Sequence, residues 1–71
     1  MKKFLFIIEK TSTGYSAYVP DLPGCIATGK TKQQVEKNIF EAIEFHLEGL
    51  KEEGIKIPES STEAKMVMIK V

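Results

Sequence analysis

Near its start the chain carries a run in which both sides of an extended strand are apolar. Lys3–Lys10, KFLFIIEK, puts Phe4, Phe6 and Ile8 on one side and Leu5 and Ile7 on the other. Such a strand is expected in the middle of a sheet with both faces covered. Thr11-Ser12-Thr13-Gly14 is polar and ends in glycine, the composition of a hairpin loop. Alternation returns at Tyr15–Val19, with Tyr15, Ala17 and Val19 on one face and Ser16 and Tyr18 on the other. The loop Pro20-Asp21-Leu22-Pro23-Gly24 follows. Its prolines fix φ and lack an N–H, so neither fits inside a central strand. Asp21 is suited to bond its own backbone two residues on, and Gly24 to a positive φ. Cys25–Thr28 reads as a short third strand at a sheet edge.

Thr31 and Gln34 then stand at capping-box spacing, and a helix is predicted over Lys32–Glu53. At 100° per residue, Val35, Ile39, Ala42, Ile43, His46 and Leu50 form one stripe, which Phe40 and Leu47 widen. Phe45 falls outside it, among Glu41, Glu48 and Glu52. Gly54 is placed to stop the helix in the left-handed conformation. After the polar stretch Glu59–Glu63, alternation resumes in Ala64–Val71, with Val67, Ile69 and Val71 facing one way and Met66 and Met68 the other. A right-handed crossover would lay this last strand parallel to the first. The expected fold is therefore α+β, in the order β-β-β-α-β: a four-stranded sheet, order 3-2-1-4, with one helix on one face, in a single domain over residues 1–71. One helix covers one face only. Apolar area left on the other marks an interaction site, so Phe4, Phe6, Tyr18, Met66 and Met68, together with Phe45, are candidate partner-binding residues.

Composition narrows the partners. The chain has 71 residues, and its ten basic side chains, all lysine, balance ten acidic ones. A domain this small is marginal by itself and commonly needs a disulfide, a metal or a partner chain. Cys25 has no second cysteine to pair with, and Cys25 with His46 falls short of a zinc site. Association with another chain, as a dimer or higher oligomer, is the expectation that remains. Without a basic surplus or any arginine, direct nucleic-acid binding is not expected. No signal-peptide pattern opens the sequence, and the apolar run Phe4–Ile8 is too short to span a bilayer. A cytoplasmic protein with a reduced cysteine follows.

The chemistry-bearing side chains read as packing. His46 lies in the apolar stripe, with the expectation of one bonded ring nitrogen. Cys25 reads as a small buried apolar residue. Tyr15 and Tyr18 read as sheet-face packing rather than base-stacking platforms. No cofactor is implied.

The run from Gly14 through Tyr18-Val19-Pro20-Asp21-Leu22-Pro23-Gly24-Cys25, the Gly29-Lys30-Thr31 approach to the helix, Asn38 with Ala42-Ile43, and Leu47-Glu48-Gly49-Leu50 through Gly54 to Ile57-Pro58 together resemble the HicB-type antitoxins. The resemblance covers nearly the whole chain and implies a partial RNase H-like fold. It also implies a partner, a small basic HicA-type toxin that cleaves RNA, has a double-stranded-RNA-binding-domain shape and carries a catalytic histidine. The antitoxin would sequester this toxin by occluding its active site. Relatives of this kind usually add a C-terminal DNA-binding module, which this sequence is expected to lack. A solitary oligomeric module, structural or regulatory and without a toxin, is the competing reading.

An RNase H relative also raises nuclease chemistry. Two-metal hydrolysis needs several carboxylates converging on two cations. The first strand offers only Glu9, the last none, and Glu36, Glu41, Glu44 and Glu48 lie mostly on the solvated side of the helix. The chain is expected not to be an enzyme.

Overall fold

A computed structural model describes all residues, Met1–Val71. Three strands form an antiparallel meander: β1 (Ile7–Lys10), β2 (Tyr15–Tyr18) and β3 (Ile26–Gly29), followed by one helix, α1 (Lys32–Glu52). Ile7 pairs with Tyr18 and Lys10 with Tyr15 across the first hairpin. Tyr15 pairs with Gly29 and Tyr18 with Ile26 across the second ladder. The β1–β2 ladder stops at Ile7, short of the predicted start at Lys3, because β2 runs out opposite it. The Val19 N–H turns to the Cys25 carbonyl at 3.1 Å, and Pro20 has no N–H to give.

The expected four-stranded sheet of order 3-2-1-4 is not what the chain forms. The sheet has three strands in the order β1-β2-β3, and Ala64–Val71 is in no strand. β1 is consequently an edge rather than a centre. Alternation describes which way side chains would point once a strand has paired; it does not supply the neighbouring edge. Here the chain leading into the tail is held elsewhere, at Asp21, and the tail stands clear of β1.

The helix begins and ends on local chemistry. The Thr31 hydroxyl accepts the Gln34 N–H at 3.0 Å. The Gln34 side chain does not return to Thr31; it donates to Asn38 Oδ1 at 3.1 Å, and Asn38 Nδ2 donates to the Thr28 carbonyl at 2.7 Å. That link fixes the helix over β3. At the other end Gly54 has φ +71°, Gly54 N–H donates to Lys51 and Ile55 N–H to Leu50. These two bonds make a Schellman stop.

The core lies between the helix and one sheet face. Ala17, Val19, Leu22, Cys25, Val35 and Ile39 are buried, with Phe4, Phe6, Ile8, Tyr15, Ala27, Ala42, Ile43 and Leu47 packed partly against them. Close approach of the helix requires glycine at 29, since a Cβ there would lie 2.6 Å from the Val35 nitrogen. The loop after β2 is itself part of the core. Leu22 is completely buried, its N–H donates to the Val19 carbonyl, and its own carbonyl accepts from Cys25 N–H. Gly24 takes φ +84° to close that turn.

Candidate protein-binding surfaces

Three apolar areas remain uncovered, and each has a simple origin. The first is a groove beside β1. Phe4 and Phe6 precede β1 on its helix-facing side, and Phe40, Ile43 and Leu47 come from α1. The groove holds about 360 Å³ and is rimmed by Lys2, Lys3 and Glu44. Because no strand lies outside β1, nothing in the chain closes it on that side.

The second area is the sheet face away from the helix. The two ladders align Ile7, Tyr18 and Ile26 in one cross-strand row, with the polar row Glu9, Ser16 and Thr28 next to it. Tyr18 and Ile26 are exposed, while Ile7 is half-buried. The third is Phe45, 79 % exposed on α1. Glu41 and Glu48 are its helical neighbours one turn away on either side, and Glu52 lies one turn further.

The tail is the most exposed part of the molecule. Met66 is 100 % and Met68 98 % exposed, and Val67, Ile69 and Val71 are exposed too. Its root, in contrast, is fixed. Asp21 does not bond its own loop as the sequence suggests. Its carboxylate accepts from Thr62 Oγ1 at 2.8 Å, Thr62 N–H at 3.1 Å, Ser61 N–H at 3.0 Å and Ser61 Oγ at 3.3 Å. The Thr62 hydroxyl, then the backbone and Ser61 donors, hold the Asp21 carboxyl below its ordinary range. Lys2 Nζ meets Glu59 Oε1 at 2.9 Å, and that hydrogen bond and charge lower the Glu59 carboxyl as well. The Lys2–Glu59 pair lies on the surface, so it directs the chain more than it stabilises it.

The candidate chemical residues do not assemble a reaction site. Burial pushes the Cys25 thiol up, which keeps it protonated and unreactive. His46 is half-buried, and the hydrogen bond expected at one of its ring nitrogens is not among the side-chain bonds of the chain. No group of three or more His, Cys, Asp or Glu side chains converges. No helix is long and apolar enough to cross a membrane.

Of the residues singled out in the sequence, Phe4 and Phe6 share the groove, Met66 and Met68 share the tail, Tyr18 lies on the opposite sheet face, and Phe45 stands apart on the helix. Sequence reasoning missed Phe40 as a groove wall and Ile26 as Tyr18's cross-strand neighbour. The alternation in Cys25-Ile26-Ala27 could have revealed Ile26, and the helical period had already set Phe40 on the flank of the stripe, beside Leu47.

Comparison with known proteins finds a match over residues 4–70 to the model for the HicB_like antitoxin of bacterial toxin-antitoxin systems. A UPF0150 protein of Thermoplasma acidophilum is 45 % identical over 62 residues, covering 86 % of this chain and 90 % of that protein. An uncharacterized protein of Haemophilus phage HP1 is 44 % identical over 54 residues, covering 76 % of this chain but 41 % of its own length. Among solved structures, a HicA3 and HicB3 toxin-antitoxin complex contains a chain that matches with TM-score 0.68 at 38 % identity, covering 82 % of this chain and 66 % of that one. The chain thus spans less than half of the phage relative and about two thirds of the solved one.

Proposed function

The chain belongs to the HicB-like antitoxins of bacterial toxin-antitoxin systems, and on that premise we propose that it sequesters a small, basic, RNA-cleaving HicA-type toxin by covering the toxin's active site. The observation that carries the reading is the exposed Phe45 set among Glu41, Glu48 and Glu52. A large aromatic ringed by one sign of charge suits a basic partner. The ring is an anchor to be desolvated, and the carboxylates steer encounter and set orientation. The solved complex of a relative with its HicA3 partner supports the same role. In this reading the chain acts in the cytoplasm by occlusion alone and performs no catalysis.

The protein also self-associates in this proposal, through the apolar surfaces that Phe45 does not use: Phe4 and Phe6 in the groove, Tyr18 on the sheet, Met66 and Met68 in the tail. A solitary oligomeric module would need only these surfaces. Co-expression with a neighbouring gene for a small basic protein separates the two readings. Co-elution on a sizing column with rescue of growth supports the antitoxin. Phe45→Ala should then weaken capture at least tenfold while leaving the far-UV spectrum unchanged. Failure of the pair to associate, with unrelieved toxicity, would leave only the solitary module.

A further inference from the structure

We propose that two copies of this chain exchange their tails, with Met66–Val71 of each adding as a strand to the free edge of β1 in the other and closing its phenylalanine-lined groove. The proposal rests on the self-association half of the reading above and not on the toxin.

Two unsatisfied features of the same chain call for each other. The run Phe4–Ile8 that leads into β1 is apolar on both sides, yet β1 is an edge. An uncovered apolar edge is a template for another strand, which natural proteins blunt or cover. The tail is a strand pattern without a sheet: Val67, Ile69 and Val71 on one side, Met66 and Met68 on the other, all exposed. Apolar character on both sides suits a strand enclosed from both faces.

The lengths agree. Six residues of extended chain reach about 20 Å, close to the span of Phe4–Ile8 with its flanks. The molecule's extents of 48 × 27 × 19 Å fit an extended segment standing away from the body. The acceptor is β1 rather than β3, since the Thr28 carbonyl of β3 already takes the Asn38 amide and the groove lies beside β1.

Placement selects a second copy as the occupant. Lys2, just before β1's apolar run, binds Glu59, and Asp21 binds Ser61 and Thr62. Donor and acceptor therefore rise from the same end of the molecule, with the donor's root anchored and its free part unpaired. A two-fold axis at that end lets each copy give and receive, so the reciprocal exchange closes at two copies. A toxin would have to imitate the tail to occupy the same groove.

Isotope-filtered NMR on a mixture of labelled and unlabelled chain tests this, together with sedimentation velocity. The expected result is a dimer, with contacts between the Ile69 methyls of one copy and Phe4 or Phe6 of the other. Ile69→Lys should weaken the dimer about tenfold or more, because it sets a charge in the closed groove, while the helical circular dichroism stays unchanged. A native chain that sediments as a monomer would overturn the proposal. So would a dimer whose contacts between copies run through Tyr18 and Ile26, or through Phe45, with the tail free. Toxin binding enters neither measurement, so the proposal can fail while the antitoxin reading stands.

Discussion

Replacing Leu22 with alanine removes the side chain by which the loop joins the core between sheet and helix. Leu22 is 0 % exposed, one of only six buried residues. Leucine-to-alanine changes at such sites cost about 2–5 kcal/mol, the upper part when the cavity cannot collapse. Collapse is restricted here. Leu22 N–H and C=O are both bonded within the turn, and Pro20 and Pro23 stiffen the backbone on either side. A cost of about 3 kcal/mol is expected. A chain of 71 residues holds roughly 4–11 kcal/mol in total, at 0.05–0.15 kcal/mol per residue. The variant should thus lose between about a quarter and three quarters of its stability, and its Tm should fall by about 12–24 °C. Urea unfolding followed by far-UV circular dichroism, at one protein concentration for both chains, reads the change. Leu22→Met conserves volume and should cost under about 1.5 kcal/mol. An alanine cost below about 1 kcal/mol, or equal costs for the two variants, would refute the claim that this loop is core.

Three further outcomes follow from the geometry. The Asp21 carboxyl is held below its ordinary 3.8 by donors that only the carboxylate accepts fully. Its contribution is therefore complete above that value in the folded chain and is lost as pH falls through the lowered one. Amide exchange at Ser61 and Thr62 should accelerate on acidification before the helix melts, and Asp21→Ala should give that fast exchange at neutral pH. Cys25 should react slowly with a thiol reagent at mildly alkaline pH and at the rate of a free thiol in urea; fast reaction of the native chain would contradict its buried, protonated state. Gly29→Ala should destabilise the chain by more than about 1 kcal/mol in thermal melts, because the new methyl meets the backbone nitrogen of Val35 rather than a movable side chain.

What could be read from the residues alone was what neighbours in sequence decide. Thr31 capped the helix and Gly54 stopped it where expected, since both act through backbone groups within a few positions. The facing of Tyr15, Ala17 and Val19 toward the core followed from alternation. Asp21 was misread because its donors come from Ser61 and Thr62, 40 and 41 positions away, whereas the local bond to its own loop was the one visible in sequence. The fourth strand was misread for a related reason. Ala64–Val71 has the side-chain pattern of a paired strand, but pairing needs an edge within reach of the segment's fixed root. The double apolarity of Phe4–Ile8 was legible; that β1 lies at the sheet's edge was not, and this turns the run from an ordinary core strand into a surface seeking a neighbour.

We propose that this chain works by covering another protein. The direct measurement is the RNA-cleaving activity of a purified HicA-type toxin, titrated with the purified chain. Activity should fall in proportion to the chain added and vanish at a fixed stoichiometry, with Phe45→Ala shifting the curve to higher concentration. Cleavage that continues unchanged in the presence of excess chain would contradict the account.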